Sequence, residues 1–220
     1  MWRHLVAGLL GVVTLAAPAL AGGPYFDWAG PHVGINGGGA WGNTNWNATF
    51  AGTRITTGGF AVSGGMVGAS AGYDWQRGHW VIGALADIDW SSVRGNTAGS
   101  GIGSCSPNCA TSDSWLGTVR SRVGFANGPF LPYLTAGLAV GDVSMYHIGK
   151  ASGVTTSTKA GWAAGAGVQY AFTKRWSAWI EYLHADLGSA KCGAFVCDNG
   201  LVTHEPFALD SVRVGLDRRW

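Results

Sequence analysis

"WVIGALADIDW", Trp80 to Trp90, alternates apolar and small or polar residues without a break. Successive side chains of a strand point to opposite faces, so Trp80, Ile82, Ala84, Ala86, Ile88 and Trp90 share one face while Leu85, Asp87 and Asp89 share the other. The apolar face begins and ends on tryptophan, ten residues apart. Trp115 to Phe125 and Trp162 to Phe172 repeat that interval on two other alternating segments. Ten residues at about 3.3 Å each, tilted by about 40°, climb roughly 25 Å, the height of the apolar band between the two aromatic girdles of a transmembrane β-barrel.

Alternation by itself does not say which face is inside. A lipocalin-like barrel would turn the same apolar residues inward, and a membrane barrel turns them to lipid. The repeated aromatic interval favours lipid, and so does the opposite face. It reads Gly68, Ser70, Gly72, Asp74 in one segment, Thr118, Arg120, Arg122, Gly124 in a second and Gly161, Ala163, Gly165, Gly167, Gln169 in a third. Glycines weaken an exposed strand, but inside a narrow barrel they leave room for a few large charged side chains.

Composition agrees. Charged residues are 12% of the chain, against about 25% in a soluble domain; there are 37 glycines and 12 tryptophans, and the formal charge is only +2. No basic stripe suggests nucleic acid, and no motif suggests a cofactor. At the beginning, Arg3 and His4 precede the apolar run Leu5 to Ala17 and an A-x-A site at Ala19-Leu20-Ala21. Residues 1–21 therefore read as a secretory signal peptide cleaved after Ala21, and 22–220 as the barrel domain.

The pattern predicts strands near 31–41, 63–76, 79–90, 113–126, 130–141, 160–172, 176–187 and 210–220. Gln76-Arg77-Gly78, Ala126 to Pro129 and Thr173-Lys174-Arg175 are tight turns; 42–62, 91–112, 142–159 and 188–209 read as long loops. Short connections on one side and long ones on the other predict an all-β, eight-stranded antiparallel transmembrane barrel of the outer membrane, with periplasmic turns and external loops. In the last strand Val212, Val214, Leu216, Arg218 and Trp220 share the lipid face. Trp220 then meets the inner girdle, and Arg218 reaches the headgroups while its stem stays in lipid.

"SWLGTVRSRVGFA" (114–126), "PYLTAGLAVG" (132–141), "GWAAGAGVQYAFTKRWSAWIEYLHADLG" (161–188) and "SVRVGLDRRW" (211–220) resemble the small porin-like outer-membrane β-barrel proteins of Gram-negative bacteria, related in build to the OmpA-type barrel. The resemblance implies that Trp220, where the family normally has Phe, is part of the signal read by the barrel-assembly machinery. Four positions depart from the family pattern: Leu85 and Gln169 replace inward acids, Trp179 replaces a lysine, and Arg218 replaces an aromatic. Fewer inward charges imply a drier lumen.

Charges inside so narrow a barrel need partners. Asp87, Asp89, Arg120, Arg122, Glu181, Arg213 and Asp217, with Asp74 and Arg219, form the candidate lumen network. Setting Trp90 level with Trp115 brings Asp87 near Arg120, and the closing hairpin brings Glu181 near Arg213. The network reads as a plug or, alternatively, as the lining of a narrow porin-like channel. Cys105, Cys109, Cys192 and Cys197 fall in external loops of an exported chain, where disulfides are the default, and pairing within each loop is the simplest of three connectivities. His184, Asp186, Ser189, His204 and Glu205 near the external end are the residues a lipid-modifying enzyme would use, although no motif joins them. The leading expectation is a non-enzymatic envelope protein that supports outer-membrane integrity. Its partners are outer-membrane lipid, the assembly machinery and, through the loops, an external ligand or host surface.

Overall fold

The computed structural model describes residues 26–50, 53–98, 108–148, 155–192 and 203–220, with side chains over 26–44, 60–96, 110–144, 156–189 and 207–220. Residues 1–21, the expected signal, lie outside the described residues. So do Cys105, Cys197 and the side chains of Cys109 and Cys192.

Ten strands form one closed antiparallel sheet: β1 (Gly30–Phe50), β2 (Thr53–Arg77), β3 (Trp80–Ser91), β4 (Arg94–Ala98), β5 (Asn108–Ser112), β6 (Trp115–Phe125), β7 (Phe130–Ile148), β8 (Thr155–Ala171), β9 (Trp176–Cys192) and β10 (Thr203–Arg219). β4 continues β3 past a break at Ser92-Val93, and β5 leads into β6 past a break at Asp113-Ser114, so the barrel has eight staves. Closure runs through β1, which pairs with β2 on one side and with β10 on the other, His32 facing Arg219. At the second break Asp142 accepts the backbone N–H groups of Ser114 and Trp115 at 3.0 and 3.1 Å, replacing the interrupted ladder.

The four segments read as loops are largely strand. β1 and β2 stay paired as far as Phe50 and Thr53, β7 and β8 as far as Met145 and Thr155, and β9 and β10 as far as Cys192 and Thr203. Beyond the outer girdle neither face meets lipid, so the apolar alternation that marks a membrane strand disappears. The ladder of backbone hydrogen bonds needs no such alternation, and the Thr-rich sequence there suits strands.

The faces fall as the alternation predicts. Trp80, Trp90, Phe125, Trp162, Phe172 and Trp220 project outward, each more than two-fifths exposed, and Trp115 is half-buried on the same surface. Trp80 pairs with Phe125 and Trp90 with Trp115, so both girdles are level across β3 and β6. The tight turns lie at the opposite end from the long hairpins, with Gly78 and Gly128 at φ +61° and +58°, a conformation that other residues rarely adopt.

Candidate functional site: the barrel lumen

The inward faces fill the lumen in three layers. The middle one is ionic. Arg213 on β10 donates to Asp87 at 2.7 Å and Asp89 at 2.5 Å, both on β3, and to Glu181 on β9 at 2.6 Å. Arg120 on β6 donates to Asp87 at 2.7 Å and Glu181 at 2.9 Å, while the Thr118 hydroxyl donates to Asp87 at 2.6 Å. Nearer the periplasm, Arg122 grips both oxygens of Asp74 and donates to Gln169 at 3.0 Å; Arg219 donates to Asp74 at 3.0 Å. All these ionic groups are buried.

Asp217 belongs to the candidate charge network, but the hydrogen bonds it accepts among the described residues come from neutral groups. Gln169 donates to it at 2.8 Å and the Trp179 indole at 2.9 Å. Two of the positions where the chain departs from the family's charges therefore supply uncharged donors that satisfy an inward carboxylate. His32, which the sequence reading passed over, lies 3.5 Å from Asp74.

Glycines make this density of charge feasible. Asp217 lies across the ladder from Gly34, Asp89 from Gly68 and Asp74 from Gly83. A Cβ added at any of the three glycines would overlap the facing carboxylate. The void left between the two ionic groups, lined by residues including Asn36, Leu85, Tyr133 and Glu181, is about 10 Å³, room for about one water molecule.

The outer layer is apolar. Phe60, Met66, Val93, Leu116, Leu183, Leu187, Phe207 and Leu209 are buried in one cluster, on the same inward faces as the charges and directly above them. The inner mouth is closed by the segment before β1. Trp28 is 0% exposed and packs on Val81, Leu131 and Ala171. Its backbone N–H donates to Gln76 at 2.6 Å, its indole N–H to the Gly128 carbonyl at 3.3 Å, and its own carbonyl accepts from Arg219. The Arg219 guanidinium lies 5.4 Å from the centroid of the Trp28 ring.

Above the outer girdle, burial pushes the Asp113 carboxyl up to about 7, opposed by the Ser91 hydroxyl and reinforced by the Asp142 carboxylate. On the external surface Asp210 accepts from Tyr182 at 2.6 Å and pairs with the His184 ring at 2.8 Å. Asp186 instead holds the Gly188 N–H at 2.8 Å. Ser189 is exposed, and the side chains of His204 and Glu205 lie outside the described residues. Among the described side chains, then, His184 pairs with Asp210, and Asp186 with a backbone N–H.

A lipid-facing exterior between two aromatic girdles around a filled, charged lumen defines an integral β-barrel of the bacterial outer membrane. Residues 7–216 match the outer membrane protein beta-barrel domain family. The chain belongs to that family, and its place is the outer membrane. It is 36% identical over 222 residues to the 31 kDa outer-membrane immunogenic protein of Brucella melitensis biotype 1, covering 93% of this chain and 89% of that one. A 22 kDa outer membrane protein of Rhizobium leguminosarum bv. viciae is 36% identical over 118 residues, 54% of this chain and 50% of that one. Among solved structures, Neisserial surface protein A has a similar fold, with 15% identity and a TM-score of 0.46 over 87% of this chain and 98% of that one.

Proposed function

We propose that this barrel is a non-enzymatic envelope protein whose lumen is closed to solutes, and that it supports outer-membrane integrity while presenting its long hairpins outward. The observation that carries the reading is the stacking of three closures along one axis: Trp28 at the inner mouth, the arginine–carboxylate network around a void of about 10 Å³, and the apolar layer of Phe60, Leu183 and Phe207 above it. A narrow pore would need a polar path past each of them, and the outer layer is mainly hydrocarbon, with Asp113 buried level with Val93. The Brucella relative is named an immunogenic protein, which is consistent with exposure of the corresponding hairpins at the cell surface. Trp220, exposed on the inner girdle, acts in this proposal as part of the assembly signal.

The test is single-channel recording of the refolded barrel in a planar bilayer, with Glu181→Gln alongside. Silence from both proteins is the expected result, and a steady conductance that the substitution alters overturns the closed lumen. Sensitivity of a deletion strain to detergent or bulky antibiotics, restored by a copy of the gene, is the expected sign of the integrity role.

A further inference from the structure

The periplasmic rim carries a one-sided charge that the lumen does not use. Arg77 ends β2, Lys174 and Arg175 form the β8–β9 turn, and Arg218 lies on the lipid face of β10; all four are exposed. Among the described residues none of them forms an ion pair. The exposed acidic side chain of this rim among those residues is Asp27, since Asp74 and Asp217 are buried inside. The third turn, Asn127-Gly128-Pro129, carries no charge, so the cations gather on the sector from β9 through β10 to β2.

Arg218 fixes the height of this patch. It follows Val212, Val214 and Leu216 on the lipid-facing row and pairs across the ladder with Trp176. Its guanidinium lies 5.3 Å from the Trp220 ring centroid and 6.0 Å from that of Trp176. Two girdle tryptophans thus lie beside its guanidinium, a group that can donate two parallel hydrogen bonds to a phosphate. Arg175 adjoins it, because the Arg175 carbonyl accepts the Arg219 N–H at 2.8 Å. Beside them a surface pocket is lined by Phe26, Asp27, Pro129, Lys174, Arg219 and Trp220.

We propose that Arg218, Arg175 and Lys174, with Trp176 and Trp220, form a binding site for the headgroup of an anionic phospholipid in the inner leaflet of the outer membrane. The cations stand at the girdle, where phosphates lie, and Arg218 projects from the lipid-facing row, which a soluble acidic partner would reach only by displacing lipid. Three exposed cations against one exposed carboxylate, Asp27, leave a net positive patch that complements a headgroup with net negative charge; a zwitterionic headgroup brings its own ammonium and is disfavoured.

Refold the protein into nanodiscs of equimolar phosphatidylglycerol and phosphatidylcholine, and count the lipids retained on the barrel by native mass spectrometry. Each near-surface cation contributes about a fivefold preference, so phosphatidylglycerol should be retained at least about fivefold over phosphatidylcholine. Arg218→Gln combined with Lys174→Gln and Arg175→Gln should bring the ratio close to one. The turn pair Lys174→Gln/Arg175→Gln leaves the last strand untouched and should lower the ratio even if the triple variant does not assemble. The difference in gel mobility between the unheated and the heated barrel identifies the folded population. Equal retention of the two lipids by the wild-type barrel overturns the proposal, and so does a ratio that is unchanged in the folded turn pair.

Discussion

Replacing Arg213 with methionine keeps the bulk of the side chain and removes the guanidinium that three carboxylates share. Arg120 still holds Asp87 at 2.7 Å and Glu181 at 2.9 Å, so each of those keeps a cation. Asp89 has Arg213 as its one ion-pair partner among the described residues, and the substitution leaves it buried and unpaired. The formal charge of this group changes from −1, for three carboxylates and two guanidiniums, to −2. Breaking a buried pair by removing one member costs about 3–5 kcal/mol, mostly the cost of the stranded charge. Arg213→Met should therefore lower stability by about 4 kcal/mol. Adding Asp89→Asn removes the stranded charge and should restore about 2 kcal/mol, a coupling that a double-mutant cycle isolates. Urea titration of the barrel in lipid vesicles, followed by tryptophan fluorescence and by gel mobility without heating, measures both. A loss below about 1 kcal/mol for the single substitution, or strict additivity in the double, would refute the view that Asp89 depends on Arg213.

Trp28→Ala should lower stability by about 3–5 kcal/mol, the range for large aromatic truncations in a core, and the barrel should stay silent in a planar bilayer because the ionic layer remains; a steady current would show that Trp28 alone closes the lumen. Asp113, raised to about 7 by burial, holds its proton more tightly folded than unfolded, so its penalty on stability develops as the pH rises from about 4 to about 7 and is complete above that. Asp113→Asn should stabilise the barrel by up to about 4 kcal/mol at pH 8 and hardly at all at pH 4, and equal effects at the two pH values would contradict the assignment. Trp220→Ser should reduce the amount of assembled barrel in cells more than it shifts the urea midpoint of purified refolded protein, and normal surface levels would remove the assembly role. Alkylation of the unreduced protein should label none of the four cysteines; labelling of all four would exclude both expected disulfides.

What could be read from the sequence was local. Trp80 to Trp90 carried the strand, its two faces and its depth in the membrane. Aligning Trp90 with Trp115 was enough to bring Asp87 to Arg120, because both lie on adjacent staves, and the β9–β10 hairpin did the same for Glu181 and Arg213. Contacts across the lumen were not legible. Arg213 meets Asp89 from 124 positions away, on staves separated by β1 and β2, and no ladder register encodes that distance. The apolar layer was hidden for another reason: Leu183 and Leu209 alternate with Tyr182 and Ala208, so both faces looked alike wherever neither carried charge. Trp28 precedes the first alternating residue, two positions before Gly30, whose φ of +117° is one that other residues rarely adopt.

The lumen charges also bear on how the barrel closes. Within the membrane the lipid face of β10 is Val212, Val214 and Leu216, residues that the bilayer would accept in several registers. A one-residue slip of β10 would turn Arg213, Asp217 and Arg219 into hydrocarbon and bring valine into the lumen, since the side-chain period of a strand is two. A two-residue slip keeps the faces but separates Asp217 from Gly34, across which it now lies, and sets its carboxylate against a neighbour with a Cβ. It also takes Arg213 away from Glu181, with which it pairs directly. With Trp28 and the apolar layer shielding both ends from water, an unpaired charge in between costs more than it would in a wet pore. The same arginines and carboxylates that fill the lumen therefore select the closing register that Arg218 and Trp220 mark only at the rim of the lipid face.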